Sequence, residues 1–206
     1  MGKAYQVVKD FETEIANWAG AKYGVAVSSC CNSIFLSLKY RKETNLNLVA
    51  IHCPCKTYPG VPMAIMNSGY KLFLEKMEWN GNYTLDPSAI VDSALRFKKN
   101  MYIKNSLYCL SFHYKKHLPI GRGGMILTDD KKAMEWLKMA RFDGRKEVPL
   151  CQDNAEILGW NMYLEPSQAA RGLTLFENIK DKNLPDLKVE SQHYPDLTKW
   201  RIFNEK

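Results

Sequence analysis

The feature that most constrains the fold is a short apolar run that leads through small polar residues into a helical run. Residues 25–27 are small or β-branched and predict a buried strand, and Ser28 and Ser29 follow as a turn. Residues 34–38 then have the apolar content of a helix. A strand–turn–helix unit points the free N–H groups of the first helical turn at the turn, where an anion binds well. The segment therefore predicts an α/β fold with an anion-binding turn.

The rest of the chain repeats this alternation of strand-like and helical segments, which is typical of an α/β protein. Further strands are predicted at residues 48–51, 70–74, 89–91, 107–112 and 125–127, and helices at 11–19, 61–66, 133–140 and 167–179. Gly20 and Gly69 are predicted helix stops, and Asp129 or Asp130 is the predicted cap of the helix that follows it. The chain after residue 181 is polar and contains prolines, and it predicts a loop with a short terminal element.

Charge and cysteine content narrow the classes of partner. The net charge of +7 favours an anion such as a cofactor phosphate, a nucleotide diphosphate or nucleic acid. No nucleic-acid-binding motif is present, so we do not predict nucleic acid as a partner. No membrane span and no signal peptide are visible, and we expect a cytoplasmic protein. The six cysteines are expected to be free thiols, and their spacing does not predict a metal site.

Four segments, taken in order, resemble the DegT/DnrJ/EryC1/StrS family of sugar aminotransferases. They are FETEIANWAGAKYGVAVSSCCNSIFLSL (11–38), KTYPGVPMAIMNSGYKLFL (56–74), LYCLSFHYKKHLPIGRGGMILTDD (107–130) and GWNMYLEPSQAARGL (159–173). The family patterns for the first and third are GAKYAVAVSSGTAAL and SFHPTKNLTTGEGGMVVTND. One segment alone would be weakly specific, but four in the family's order, spread over most of the chain, are strongly specific.

The resemblance implies the fold of the aspartate aminotransferases. We expect a three-layer α/β/α arrangement with a mostly parallel sheet. Residues 1–180 would form a core like the family's large domain, which binds pyridoxal phosphate. Residues 181–206 would form a short tail, a remnant of a C-terminal small domain that is largely absent. Between Leu85 and Asp92 relatives have a further strand and helix, so we also expect one inner βα unit to be missing.

Pyridoxal phosphate needs a lysine that binds it covalently and an acidic residue that keeps its ring nitrogen protonated, so that the ring acts as an electron sink. The resemblance assigns these roles to Lys116, in S-F-H-x-x-K, and to Asp92, in IVDSA. The lysine amine would also carry a proton between the substrate and the cofactor. Lys115 is the alternative lysine, and Asp92 has the alternative role of a turn or cap residue. Dehydratase members of the family have histidine at the lysine position. Because His117 is next to Lys116, an alignment shifted by one residue, with histidine at that position, stays an alternative.

The resemblance also implies further contacts to the cofactor. The full set of implied cofactor-binding residues is Ser29, Cys30, Cys31, Asn32, Tyr58, Asp92, Ser111, His113, Lys116 and Asn161. Cys30 and Cys31 replace the family's usual Gly-Thr, but backbone N–H groups bind phosphate whatever the side chain. Tyr58 is either the aromatic residue against the cofactor ring or a core tyrosine. Asn161 would reach the cofactor phosphate of a neighbouring subunit, which implies a homodimer.

Three functions are considered. The resemblance implies an aminotransferase of polysaccharide biosynthesis that moves an amino group, typically from glutamate, to a nucleotide-linked keto-sugar in two half-reactions. The alternative is a non-catalytic relative that binds the cofactor or a partner. The missing unit and two departures, Leu95 where relatives have Gln or His and Arg122 in the family's GEGG turn, favour the alternative. Lys116 and Asp92 favour the enzyme. A metal or redox protein that uses the cysteines is the weakest hypothesis.

Overall fold

The computed structural model describes residues 5–45, 47–188 and 194–204. Its helices and strands, in chain order, are α1 (Gln6–Ala19), β1 (Tyr23–Val27), α2 (Cys30–Thr44), β2 (Ala50–Pro54), α3 (Gly60–Asn67), β3 (Lys71–Glu75), β4 (Tyr83–Leu85), β5 (Ile90–Asp92), β6 (Leu107–Ser111), β7 (Gly124–Thr128), α4 (Lys131–Ala140), α5 (Pro166–Glu177) and α6 (Arg201–Asn204). Short 3-10 helices lie at Leu150–Gln152 and Leu197–Lys199. Among the described residues, no helix has the length and apolar character needed to cross a membrane.

The strands form a five-stranded sheet in the order β1-β7-β6-β5-β4 and a two-stranded sheet of β2 and β3. Pairing is parallel between β5 and β6 and between β2 and β3, and antiparallel elsewhere. An antiparallel bridge between His52 and Asp86 joins β2 to the end of β4. The strands β1, β2, β3, β5 and β6 therefore run in one direction, and β4 and β7 run against them. The predicted α/β class and the mostly parallel strand direction are confirmed, in a sheet whose pairing is mixed.

Helices cover both faces of the sheet, as the three-layer prediction requires. One core cluster contains residues of α1 and α5, together with Ala26, Tyr108 and Leu110. A second cluster contains residues of α2, α3 and α4, together with Cys109 and Ile126. Neighbouring strand residues point to opposite faces, so Tyr108 and Leu110 enter one core while Cys109 enters the other. Strands buried on both faces explain why the sequence shows short continuous apolar runs instead of alternation.

Strand β4 is an element that the sequence did not predict. It covers Tyr83–Leu85, a stretch for which the sequence indicated neither helix nor strand. The backbone N–H of His52 donates to the carbonyl of Asp86 (2.8 Å), so β4 contacts β2 on one side and pairs with β5 on the other. This three-residue strand is thus the edge strand of the five-stranded sheet that faces β2, and it ends at Leu85, where the interval expected to lack a βα unit begins.

The helix boundaries follow the predicted stop and cap residues. Gly20 ends α1 in the left-handed conformation (φ 87°), which a residue without a Cβ adopts freely. The Ser29 side chain accepts a hydrogen bond from the N–H of Asn32 and caps α2. Of the two predicted caps for α4, Asp130 accepts from the N–H of Lys132 and is the cap.

The predicted start of β2 was two residues too early. Residues 48 and 49 were predicted as strand, but they precede β2, and Val49 is 70% exposed.

A buried ion pair fixes α1 to the sheet. Glu12, in α1, is 3% exposed, and one of its carboxylate oxygens accepts from the N–H of Ala26 in β1 at 2.9 Å. Arg141, at the end of α4, is equally buried and donates to Glu12 and to the carbonyl of Ala26 at 2.6 Å. Three elements therefore meet at one charge pair, and a buried charge that loses its partner is costly.

We expect Glu12→Gln to lower the free energy of unfolding by about 3 kcal/mol, because it leaves the Arg141 guanidinium buried without the charge of Glu12. Urea unfolding followed by circular dichroism measures this change. Glu14→Gln, on the exposed side of the same helix, is the matched control and should change stability by less than about 0.5 kcal/mol. Equal stability of the two variants would contradict the assigned role.

Candidate active site

A cavity of about 400 Å³ opens at one edge of the sheet. The carboxyl ends of β1, β2, β5 and β6 meet at this edge, and so do the first residues of β4 and β7, which run in the opposite direction. In open α/β sheets, ligands bind outside the carboxyl ends of the strands. The cavity is lined by Ser29, Cys30, Cys31, Ile34, Thr57, Tyr58, Val61, Trp79, Asp92, Ala94, Leu95, Ser111, His113, Lys115, Lys116, Arg122, Gly123 and Tyr194.

Asp92 ends β5 at the floor of the cavity and is 5% exposed. One carboxylate oxygen accepts from the hydroxyl of Tyr83 at 2.8 Å, and the other accepts from the backbone N–H of Ala94 at 3.0 Å. The Cys30 thiol lies 3.9 Å from that second oxygen. Burial raises the pKa of Asp92, and these hydrogen bonds and the charge of Lys116 oppose the rise. Asp92 is thus at a strand end, as the cofactor role requires, and it also forms a local turn contact with Ala94.

Lys116 and Lys115 differ in burial. Both line the cavity, but Lys115 is exposed, and its ammonium lies over the ring of Tyr114, 5.6 Å from the centroid. Lys116 is half-buried, and its N–H donates to the carbonyl of His113 at 2.8 Å. Burial lowers the pKa of Lys116, and the negative charge of Asp92 opposes that shift. A lysine with a lowered pKa has more of the neutral, nucleophilic amine, so the geometry favours Lys116 over Lys115.

The predicted phosphate turn lies at the start of α2. The Ser29 hydroxyl accepts from the N–H of Asn32, and the Ser29 carbonyl accepts from that of Ser33. The N–H groups of Cys30 and Cys31, the first in the helix, are then the ones directed at an anion. Burial raises the pKa of Cys31 to about 11, and that of Cys30 well above its ordinary value. Both thiols are therefore neutral and do not repel an anion.

Gly124 lets β7 approach this turn closely. A Cβ at Gly124 would lie 2.5 Å from the carbonyl carbon of Ser29 and 2.6 Å from the nitrogen of Cys30. Backbone contacts this short leave no room for any side chain at residue 124. The second glycine of the Gly123-Gly124 pair thus has a packing role, which is to set the depth of the phosphate turn against the sheet.

Eight of the ten predicted cofactor-binding residues line the cavity: Ser29, Cys30, Cys31, Tyr58, Asp92, Ser111, His113 and Lys116. Tyr58 is 58% exposed, so its alternative role as a core tyrosine is wrong. Asn32 is not among the lining residues, and its side-chain amide donates to the Ser28 hydroxyl at 2.8 Å. Asn161 lies away from this cavity, and its amide donates to Asp143 at 3.2 Å.

Sequence reasoning missed four residues at the site. Trp79, Thr57 and Tyr194 line the cavity, and Tyr83 lies behind Asp92 with its hydroxyl 2.6 Å from that of Thr57. Thr57 lies within the second family-like segment and could have been found there. Trp79, Tyr83 and Tyr194 lie outside all four segments, and no local pattern marks them. The two noted departures, Leu95 and Arg122, also line the cavity.

Comparison with known proteins identifies the family. The model of the DegT/DnrJ/EryC1/StrS aminotransferase family matches residues 2–96 and 98–191. The spore coat polysaccharide biosynthesis protein SpsC of Bacillus subtilis is 21% identical over 222 residues, an alignment that covers 84% of this chain and 57% of SpsC. The chain thus spans little more than half the length of this relative.

Solved structures show the same fold. The sugar aminotransferase CalS13 of Micromonospora echinospora superposes with a TM-score of 0.71 at 15% identity, over 85% of this chain and 60% of CalS13. PseC of Helicobacter pylori gives a TM-score of 0.68 at 16% identity, over 86% of this chain and 58% of PseC. At these identities the structures establish the fold, and the family match covers nearly the whole chain. The chain belongs to the DegT/DnrJ/EryC1/StrS aminotransferase family.

Proposed function

We propose that the protein binds pyridoxal phosphate and moves an amino group, with glutamate as donor, to a nucleotide-linked keto-sugar. The observation that carries this proposal is the position of Lys116 and Asp92 in one cavity with the first turn of α2. Family membership supports it. So do the relatives: SpsC acts in spore coat polysaccharide biosynthesis, and PseC is an aminotransferase in the biosynthesis of pseudoaminic acid.

The donor set of the cavity fits each part of this cofactor. The N–H groups of Cys30 and Cys31 and the hydroxyls of Ser29 and Ser111 would hold the phosphate. Asp92 would hold the ring nitrogen, and Tyr58 offers an aromatic face at the cavity wall. When bound, pyridoxal phosphate supplies an electron sink that stabilises negative charge at the substrate carbon.

The lowered pKa of Lys116 and the hydrogen bonds to Asp92 suit these two residues to their roles. Burial lowers the pKa of Lys116, so its amine Nζ is more readily neutral and can accept a proton. Burial raises the pKa of Asp92, and the hydrogen bonds from Tyr83 and Ala94 oppose that rise. They favour the ionised carboxylate, which is the form that pairs with a protonated ring nitrogen.

The charge of the cavity favours an anionic substrate. Lys115 and Arg122 line it, and within the described residues neither forms an ion pair. Asp92 is the one carboxylate among the lining residues, and it is already paired with tyrosine and backbone donors. Glutamate and a nucleotide-linked sugar both carry the negative charge that such a cavity attracts.

The domain organisation and the assembly belong to the same proposal. Residues 1–180 would be the cofactor-binding core and 181–206 the tail. Asn161 is exposed and lies outside its own cavity, which supports a homodimer in which it reaches the cofactor phosphate of the neighbouring copy. The six cysteines are free thiols, which supports a reducing compartment such as the cytoplasm.

We expect the purified protein to develop a visible absorption band when pyridoxal phosphate is added, because Lys116 binds the cofactor covalently. Borohydride should fix the cofactor, and peptide mass spectrometry should locate it on Lys116. Lys116→Ala should abolish the band, and the matched variant Lys115→Ala should keep it. A band that survives in Lys116→Ala and disappears in Lys115→Ala would reverse the assignment.

Addition of L-glutamate separates the enzyme from its non-catalytic alternative. If the protein is an aminotransferase, glutamate should bleach the visible band as the amino group moves to the cofactor, with release of 2-oxoglutarate. A band that glutamate and other amino acids leave unchanged would support a cofactor-binding relative without transamination. No band in the wild-type protein would sink the proposed function.

The shared site can be tested by mixing two variants. Lys116→Ala removes the lysine of the site, and Asn161→Ala removes the contact that the neighbouring subunit makes to it. After refolding together, random pairing makes half of the dimers hybrids with one intact site, so about a quarter of all sites should bind the cofactor with wild-type affinity. Sedimentation velocity should show the dimer. If cofactor binding by the mixture equals the average of the two variants measured separately, the shared site is excluded.

The lowered pKa of Lys116 can be measured without the cofactor. We expect acetic anhydride to label Lys116 in the folded protein at a lower pH than in urea, where the side chain regains its ordinary pKa. Asp92→Asn should lower that pH further, because it removes the negative charge that favours the ammonium. Peptide mass spectrometry gives both titrations, and an identical pH dependence in the folded and unfolded protein would contradict the assignment.

A further inference from the structure

We propose that the C-terminal strap, defined as residues 184–188 and 194–200, forms an outer wall of the cavity, and that Tyr194 positions the cofactor in it. The proposal rests on the proposed function for the identity of the ligand. The position of the strap is argued from contacts within the chain and does not depend on the ligand. Tyr194 also lies beyond residue 191, where the family match ends.

The first half of the strap is fixed by a charged clamp. Asp186 accepts hydrogen bonds from Nε and Nη2 of Arg96 (2.7–3.1 Å), and the ammonium of Lys98 lies 3.0 Å from it. These two cations hold the pKa of Asp186 below its ordinary value. Gly81, with φ at 72°, makes room for the clamp, because a Cβ there would lie 2.5 Å from the Asp186 carboxylate.

One backbone and one side-chain hydrogen bond attach this half to two segments next to the cavity. The N–H of Leu187 donates to the carbonyl of Leu95 at 2.9 Å, and Leu95 lines the cavity. On the other segment, Nε2 of His117 lies 2.8 Å from the carbonyl of Pro185. His117 follows Lys116 directly, so the strap contacts both the segment after Asp92 and the segment that carries the cofactor lysine.

The second half is attached to the segment after β2. Leu197 is fully buried, and its N–H donates to the carbonyl of Cys55 at 2.9 Å. Cys55 is followed shortly by Thr57 and Tyr58, and both of these residues line the cavity. A fully buried leucine and a backbone hydrogen bond hold this part of the strap in place, and Tyr194 lies three residues before that anchor.

Tyr194 enters the cavity beside an aromatic pair. Its ring lies 6.1 Å from that of Trp79, which in turn lies 4.7 Å from the ring of Tyr83. Tyr83 donates to Asp92, so the aromatic series leads from the carboxylate at the cavity floor to the strap. Burial, with the charge of Asp92, raises the pKa of Tyr194, which keeps its hydroxyl protonated as a donor.

The hydroxyl of Tyr194 has no competing partner in the part of the chain that the structure describes. Among residues 5–45, 47–188 and 194–204, no group forms a hydrogen bond with it. A protonated phenol at a cavity wall, near the carboxylate assigned to the ring nitrogen, can donate to a polar atom of the bound ring. The strap therefore restricts the exit of the cofactor, and Tyr194 orients it.

The test compares cofactor binding in strap variants of the full chain. Asp186→Asn should release the clamp, and Tyr194→Ala should open the wall. We expect each to raise the dissociation constant of pyridoxal phosphate roughly tenfold, equivalent to about 1.4 kcal/mol, and to increase quenching of cofactor fluorescence by iodide. Tyr194→Phe should keep the iodide protection and shift the absorption band, because it removes only the hydroxyl. Asp181→Asn and Tyr114→Phe, both exposed and outside the cavity, are the matched controls.

Hydrogen exchange tests the strap separately from the cofactor. In the protein without cofactor, the amides of Leu187 and Leu197 should exchange slowly, and Asp186→Asn should speed exchange at Leu187 while Asp181→Asn does not. Unprotected amides would overturn the strap even if the visible band forms. Protected amides with no visible band would leave the strap in place and sink the proposed function. Wild-type affinity and iodide protection in both Asp186→Asn and Tyr194→Ala would overturn the role of the strap in cofactor binding.

Discussion

The buried carboxylate of Asp92 is the constraint on which the rest of the site depends. A carboxylate with 5% exposure is stable only where hydrogen bonds and positive charge replace the water it has lost. Here the hydroxyl of Tyr83 comes from β4, and the positive charge of Lys116 comes from the loop after β6. These partners lie far apart along the chain, and the sheet brings them to one edge. The fold and the chemistry of the site therefore depend on the same strand order.

Strand β4 lies between the two sheets, just before the interval where the chain was expected to lack a βα unit. It is three residues long, it pairs with β5, and its last neighbour, Asp86, forms the bridge to β2. Because β4 runs against its neighbours, its first residue, Tyr83, lies at the edge where the parallel strands end. This direction puts the tyrosine hydroxyl beside Asp92. A parallel strand in the same place would put its first residue at the far edge of the sheet.

The sequence predicted those parts of the site that depend on local pattern. The strand–turn–helix at residues 25–38 predicted the α/β class and the anion-binding turn, and the order of the four family-like segments predicted the fold. The choice between Lys115 and Lys116 needed burial, which is not visible in a pair of adjacent lysines. Tyr83 and Tyr194 could not be predicted, because their positions depend on β4 and on the strap, whose two halves are held by the Asp186–Arg96 clamp and by buried Leu197. The clamp joins residues 90 positions apart and leaves no trace in local periodicity.

The two cysteines of the phosphate turn depart from the family pattern without weakening the case for function. The close approach of Gly124 to the backbone of residues 29 and 30 fixes the turn, so the path of the turn does not depend on its side chains. Burial and the charge of Asp92 keep both thiols protonated, so they add no charge that would repel a phosphate. The N–H groups of a helix start then bind an anion as they would beside Gly and Thr.

Leu95 is different, because an apolar side chain cannot replace the hydrogen bond of a Gln or His. The structure places a protonated phenol, Tyr194, in the same cavity. We therefore expect cofactor binding in this chain to depend more on the strap than on the turn.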